Sequence, residues 1–552
     1  MRKQPIVSVV LATMATVLVS NTGSTQSWPT FVKGIHHEFE CHKPGCPNDF
    51  LPDIKGNAPD RVAVLLWWPD YRPDQNTQNS GVQCAYGGVK WTYGGITYCA
   101  SAPHVDEAIN EYATPPSVPI TAVVVGAPAW ARDPSRICGV SSTFCAPAQN
   151  KVGDFGAFVE AMASKYQGKI DEFVIWNEVN QALWFDPGGI CPLGSTCPPT
   201  ALVYDALQWK NLYSSLIKAS YDALRNNQFT QRVLLPVDHW FGADAPNSPQ
   251  RYLGANTILL EAALTLGYGN DWGLAVHPYS APAQSCSFSV NDWNAGYATA
   301  GALGRLTGWL RQAYWDRPNL HTVALTEYGY TTRTDQPNSC GTTQATAEAA
   351  QSTALCNSVR EAIATPGVEG FIFQRYIDRP VEDLNQLWGL RRQNAQGLAG
   401  DYKPAWATWA LMNRGPGYDS CGFENKVNGS LATVLKRYYN PVNGAHWVTT
   451  RTPEAGYNYE MSWKLLRAPV AGTQELYECH VAGTNNHFIS KNWNCESTVP
   501  MGSVGYSHIA EVLGTVRIHR CYNPYAGTHL VSPWACPPGW NDEGDLGWVY
   551  PN

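Results

Sequence analysis

Eight short apolar runs, separated by longer amphipathic stretches, organise most of the chain. The runs are FVKGIHHEF from Phe31, RVAVLLWW from Arg61, ITAVVVGAPAW from Ile120 and EFVIWNE from Glu172. RVLLPVDHW follows from Arg232, then WGLAVHPY from Trp272, TVALTEYG from Thr322 and VEGFIFQRY from Val368. Their apolar residues stand side by side instead of alternating, the pattern of parallel strands covered on both faces. Between them, FGAFVEAMASKYQ, LYSSLIKASYDALRNN, GALGRLTGWLRQAYW and AEAAQSTALCNSVREAIA space their apolar residues as amphipathic helices do. Alternating β and α over this length predicts an α/β fold with a parallel sheet, and eight units predict a (β/α)8 TIM barrel with long loops. An open doubly wound sheet is the alternative. Its nucleotide-binding form needs GxGxxG after the first strand, where this chain reads HHEFECH.

The pattern changes near the C-terminus. KRYYNPVNGAHWVTT, ECHVAGTNNHFIS and HRCYNPYAGTHLVS follow one another, with His446, His487 and His529 spaced 41 and 42 residues apart. A threefold repeat of that length predicts an all-β domain with pseudo-threefold symmetry, for which a β-trefoil is the preferred form. We therefore divide the chain into a leader (1–26), a barrel (27–418) and a repeat domain (430–552). The leader is read from Arg2 and Lys3 ahead of an apolar stretch from Ile6 to Val19, too short and too rich in Ser and Thr to anchor in a bilayer. It predicts a secreted protein.

Composition adds three constraints. A net charge of −7 with no long basic run excludes a polyanion-binding field, so nucleic acid is not an expected partner. No later segment is apolar enough to span a membrane, and a monomer is the expectation. The 16 cysteines occur largely as close pairs, Cys41–Cys46, Cys84–Cys99, Cys138–Cys145, Cys191–Cys197, Cys479–Cys495 and Cys521–Cys536. Behind a leader, such pairs read as disulfides. Cys286, Cys340, Cys356 and Cys421 are left without an assigned partner. No CxxC pair occurs, which argues against zinc. His36 and His37 alternate across a strand and do not share one ion.

The 22 Trp and 28 Tyr suit either a large core or sugar recognition, since flat aromatic rings cover the C–H faces of sugars. Two acids decide between them. Retaining hydrolysis of a glycosidic bond needs two carboxyl groups about 5–5.5 Å apart, and in a barrel they must stand at the C-terminal ends of strands. VIWNEVN ends the fourth run with Glu178, and VALTEYGY ends the seventh with Glu327. One acid after a strand is more often a loop residue or a helix cap. Two at these ends favour catalysis.

Here the chain resembles the clan of retaining glycosidases built on (β/α)8 barrels, including the family 39 enzymes. The resemblance implies that Glu178 is the acid/base, Glu327 the nucleophile, and Asn177 a partner of the sugar 2-hydroxyl. NEVN at Asn177–Asn180, DHW at Asp238–Trp240, WGLAVHPY at Trp272–Tyr279 and TEYG at Thr326–Gly329 are more similar still to a poorly characterised, glycosidase-like barrel family. That resemblance spans roughly Gly34 to Met412. The repeats resemble a YNPxxGxH module often appended to secreted hydrolases, and carbohydrate binding is weighed there against a purely structural role.

The other candidates for substrate contact are His277 and Tyr279 after the sixth run, Asp238 and His239 after the fifth, and Gln374, Arg375 and Trp388 after the eighth. Trp67 and Trp130 close the second and third runs, one of them as a sugar platform. For Asp238 a structural link is the competing reading. For Arg375, anchoring Asp378 competes with meeting an acidic sugar. The double-displacement mechanism requires no metal and no organic cofactor. A transglycosylase with the same carboxylates, and a non-catalytic glycan-binding protein, are the rival functions.

Overall fold

The structure, a computed structural model, describes residues 32–551 apart from 38–50, 57–58, 76–82, 85–88, 100–102, 140–143, 192–200, 268–269, 282–284, 287–288, 336–338, 379–386, 395–398, 412–431, 467–471 and 512–514. The leader, the Cys41–Cys46 pair, Cys197 and Cys421 lie outside the described residues.

Strands β1 (Val32–His36), β2 (Arg61–Trp67), β3 (Ile120–Val125), β4 (Glu172–Ile175), β5 (Arg232–Asp238), β6 (Trp272–His277), β7 (Val323–Tyr328) and β8 (Val368–Phe373) close into a parallel barrel. Each of the eight apolar runs supplies one strand. Helices α1 (Leu51–Gly56), α2 (Pro103–Ala113), α3 (Val152–Lys165), α4 (Ala206–Asn226), α5 (Ala255–Leu266), α6 (Leu303–Ala313), α7 (Gln344–Ala364) and α8 (Pro404–Leu411) follow the strands in turn. Burial on both faces explains the missing alternation: all six residues of β3 are buried, as are all seven of β5. The closing seam pairs β1 with β8, and there Gly34 is sterically required. A Cβ at Gly34 would stand 2.7 Å from Ile372 Cγ1.

A buried ion network joins the strand starts. Arg232 makes a bidentate contact to Glu369 at 2.6 and 2.8 Å, and Arg61 lies 3.3 Å from Glu172, which also accepts from Thr121 at 2.5 Å. These charges are fully paired, as burial demands. They sit at the N-terminal end of the barrel, which leaves the opposite rim for chemistry.

The C-terminal domain is all β. Its strands are β9 (Ala432–Tyr439), β10 (His446–Thr449), β11 (Asn458–Leu466), β12 (Thr473–His480), β13 (His487–Ser490), β14 (Val499–His508), β15 (Val516–Asn523), β16 (Thr528–Ser532) and β17 (Asn541–Pro551). They form three long–short–long units over a separate core that includes Leu435, Trp463, Leu476, Ile489, Ile518 and Val531. In register, Tyr439 pairs with His446, His480 with His487, and Tyr522 with His529.

The two domains are packed together through α6 and β14. A Cβ at Gly308 would meet the Gly502 nitrogen at 3.0 Å, so a side chain there would push the helix off the strand. Arg311 on α6 reaches Glu475 at 2.5 Å, and Arg451 bridges towards Glu361 of α7 at 4.0 Å while holding Glu478 at 2.7 Å.

Disulfides join Cys84–Cys99, Cys138–Cys145, Cys479–Cys495, Cys521–Cys536 and Cys286–Cys340. Cys191 and Cys356 are disulfide-bonded as well, and none of the described cysteines is free. No helix among the described residues is long and apolar enough to cross a membrane.

Candidate active site

The site grows from the abrupt end of β4. That strand stops at Ile175, and the chain then turns through two residues with positive φ, Trp176 (76°) and Glu178 (35°). Bulky L-residues adopt such angles at a cost of order 1–3 kcal/mol each, and only where the surroundings enforce them. The enforcement comes from β5. Asp238 N donates to Asn180 Oδ1 at 2.9 Å, while the Asp238 carboxylate accepts from Asn180 Nδ2 at 2.6 Å and from the Gln181 side chain. The Trp240 backbone N–H adds a fourth bond, at 2.7 Å. The NEVN and DHW motifs thus clamp each other, and the clamp holds Glu178 in its turn. Asn177 lies buried between the two strained residues.

Glu327 comes from β7 and is buried, as is Glu178. His277, the last residue of β6, stands between them. Its Nδ1 is 3.0 Å from Glu178 Oε1 and 3.9 Å from Glu327 Oε2, and its Nε2 is 3.1 Å from Thr326 Oγ1. One ligand-capable atom from each of Glu178, His277 and Glu327 lies within 4.8 Å of the other two. Tyr279, two residues beyond β6, donates its hydroxyl to Glu327 Oε1 at 2.6 Å.

The two carboxyls are not electrostatically alike. Burial, and then the charge of Asp238, push Glu178 well above the usual carboxylate range. Burial raises Glu327 as well, and a charge on Glu178 would add to the rise, but the Tyr279 hydroxyl and Arg375 oppose it. Burial lowers the His277 imidazole, which is therefore neutral near neutral pH. A protonated Glu178 can donate to Nδ1 of that imidazole while Nε2–H donates to Thr326. The trio could also hold a cation, and a metal would have to replace the His277–Glu178 hydrogen bond to do so.

The remaining candidates separate. Arg375 is buried with φ of 73°, and its charge acts on Glu327. Asp378 is held by Lys403 Nζ at 2.7 Å and by the Gly389 N–H at 2.8 Å. Trp388 meets the Tyr279 ring edge-on at 5.3 Å, and the Gln374 backbone N–H donates to Tyr328 O at 2.6 Å. His239 is buried with its ring against Tyr297. Trp130 is covered by the guanidinium of Arg72 at 4.5 Å and the ammonium of Lys151 at 5.4 Å, and its indole N–H is spent on Arg72 O. Trp67 belongs to a row with Phe144 and Trp184, at centroid spacings of 5.4 and 4.7 Å.

Sequence reasoning missed Phe144, Trp184, Gln181 and Thr326. Gln181 follows NEVN directly and was legible as part of that motif. Phe144 and Trp184 sit in loops whose approach only the fold brings about. His36 and His37 part company, the first 2.8 Å from Thr326 O and the second 2.9 Å from the Tyr112 hydroxyl.

A family model described as "Family of unknown function (DUF5722)" matches residues 83–421. No curated protein matches the chain. Among solved structures it is similar to a family 39 glycoside hydrolase from the gut symbiont Bacteroides cellulosilyticus WH2, at 12% identity and a TM-score of 0.45, over 95% of this chain and 82% of that one. It is similar to the β-glycosidase of the hyperthermophile Thermosphaera aggregans at 13% identity and a TM-score of 0.44, over 69% and 95%. The hyperthermophilic β-glucosidase of Pyrococcus furiosus matches at 12% identity and a TM-score of 0.42, over 69% and 94%.

Proposed function

We propose that this chain, which belongs to the DUF5722 family of unknown function, is a secreted retaining glycoside hydrolase acting on an oligosaccharide or polysaccharide. The observation that carries the reading is the unequal environment of two buried carboxyls held within 4.8 Å through His277. Retaining enzymes need about 5–5.5 Å between the pair, whereas inverting ones leave room for a water at about 6.5–9.5 Å. Glu178 starts protonated and gives its proton to the leaving oxygen. Glu327, whose ionised form the Tyr279 hydroxyl and the Arg375 charge favour against burial, attacks the anomeric carbon as a carboxylate and forms a glycosyl-enzyme. Glu178, now a base, draws a proton from water, which releases the sugar with its anomeric configuration kept. Asn177, buried and next to Glu178 in the chain, is assigned to the sugar 2-hydroxyl, and Trp388 and Trp67 to contact with the sugar rings. The C-terminal domain, with three units of three strands, is read as a trefoil-like carbohydrate-binding module. The paired cysteines support export.

The test is hydrolysis of a panel of polysaccharides and aryl glycosides by wild type, Glu327→Gln and Glu178→Ala, with the product anomer followed by proton NMR. We expect turnover with retention in wild type only, azide rescue of Glu178→Ala on activated aryl glycosides, and no effect of a chelator. Inversion, or full activity in Glu327→Gln, would refute the assignment. Loss of activity on chelation, restored by a divalent metal, would instead make the Glu178–His277–Glu327 trio a metal centre.

A further inference from the structure

The first and third units of the C-terminal domain carry the same four side chains in the same places. In the first, Arg437 Nε donates to Glu460 Oε2 at 2.7 Å, His446 Nε2 stands 3.7 Å from that oxygen, and Tyr439 lies across the hairpin from His446 with ring centroids 4.9 Å apart. In the third, Arg520 Nε stands 2.9 Å from Glu543 Oε2, His529 Nε2 is 3.0 Å from the same oxygen, and Tyr522 lies 4.7 Å from His529. Each arginine also reaches a carbonyl of a neighbouring unit, Arg437 that of Val531 and Arg520 that of Ile489. Arg520 additionally pairs with Glu496, and His529 Nδ1 with Asn486.

The middle unit shows that folding does not require this set. It builds the same three strands, β12 to β14, with Glu478 where the others have arginine and His480 where they have tyrosine. Glu478 is fully buried and accepts from Trp447, Thr449 and Arg451 at 2.7 Å each, the last of which reaches on to Glu361 of the barrel. The set is therefore present in the two units where its glutamate stays partly exposed, and absent from the unit whose strand β14 packs on α6. Glu460 and Glu543 remain 30% and 28% exposed. The Tyr439 and Tyr522 hydroxyls have no hydrogen-bond partner among the described residues.

The chemistry selects the ligand. One arginine, one glutamate and one imidazole kept neutral by burial leave no net positive charge in either unit, and Glu496 beside Arg520 adds a negative charge in the third. Such a set has no excess of positive charge to draw an anion and offers donors and an acceptor side by side, beside a flat ring. Adjacent ring hydroxyls of a neutral sugar match it. A phosphate would meet the glutamate, and a metal ion would meet the arginine.

We propose that Arg437–Tyr439–His446–Glu460 and Arg520–Tyr522–His529–Glu543 are two equivalent sugar-binding subsites that hold one polysaccharide chain together. The proposal deepens the carbohydrate-binding reading of the C-terminal domain, and rests on the glycosidase reading for the choice of a polysaccharide as ligand. Two weak subsites on one rigid domain gain through effective concentration, so losing both costs far more than losing either.

The experiment is affinity electrophoresis of the full chain through gels containing xylan, galactomannan, mixed-linkage β-glucan or arabinogalactan. Expected is retardation by at least one polysaccharide, equal in wild type and Glu327→Gln. It should weaken in Glu460→Gln or Glu543→Gln, and fall more than about tenfold in the double variant. Hydrolysis of small aryl glycosides should be unchanged. If circular dichroism shows the double variant unfolded, His446→Asn with His529→Asn replaces it. Retardation that survives loss of both subsites overturns the proposal, as does a wild type that passes all four gels freely. A chain that is retarded but hydrolyses nothing would refute the glycosidase reading and leave the subsites standing.

Discussion

Tyr279 donates its hydroxyl to Glu327 across 2.6 Å, tying the rim of the sixth barrel strand to the carboxylate of the seventh. The bond favours the ionised form of Glu327 against the burial that surrounds it. The same burial keeps the phenol itself protonated, so it stays a donor throughout.

Replacing Tyr279 by Phe removes that donor. A hydrogen bond to a charged group is worth about 1.5–3 kcal/mol, so kcat/KM should fall about 10- to 100-fold. Glu327 should then ionise at a higher pH, moving the acidic limb of the pH–rate profile upward. A fall in rate with an unmoved acidic limb would show that Tyr279 only positions the sugar.

Asp238→Asn tests the opposite limb. The Asp238 charge helps raise Glu178, so removing it should bring the basic limb, where Glu178 loses its proton, to lower pH. The substitution also weakens the clamp on Asn180 and Gln181, so kcat should drop while the fold persists. The pH–rate profile of kcat/KM decides, and a basic limb unchanged or shifted upward contradicts the assignment.

The Cys286–Cys340 disulfide closes a loop of 54 residues between the segments that follow β6 and β7. Chain-entropy arithmetic gives about 4 kcal/mol for a loop of this length. Serine at both positions should lower stability in urea by up to that amount. Because both loops border the site, KM should rise as well. Unchanged stability together with unchanged KM would mean that packing alone holds these loops.

Glu361 is buried at the domain interface, facing Arg451, Glu478 and Thr365, and burial lifts it to about 7. Its folded pKa exceeds the unfolded value of about 4.3, so the native state binds the extra proton. Stability therefore declines as pH rises from about 4.3 through 7, by up to roughly 4 kcal/mol. Glu361→Gln removes that decline, and thermal unfolding should show a stabilised variant at pH 8 with little change at pH 4.5. An equal shift at both pH values would point to packing instead of charge.

Much of the site was legible because its residues travel in short motifs. Asn177, Glu178 and Asn180 lie within four positions, and His277 and Tyr279 are two apart after one strand. Asp238 was legible as a candidate, while its partner was not. Contact between β4 and β5 turns its carboxylate onto Asn180 and Gln181. Trp130 illustrates the converse, since an aromatic at a strand end reads as a platform until Arg72 and Lys151 are seen to cover it. The Cys286–Cys340 link could not be read either, for its partners are separated by a whole helix and strand.

The sequence by itself determined the eight strands, the parallel barrel, the all-β repeat domain and the two acids at strand ends. Local rules suffice for these, because strand burial, helical spacing and repeats leave their mark within a few residues. Only the tertiary structure decided that Glu178 and Glu327 converge on one histidine, that their environments differ, and that the middle repeat buries its glutamate against Arg451. Those outcomes depend on distances between residues far apart in the chain, and on the loss of water around them. Barrel closure and domain docking set both.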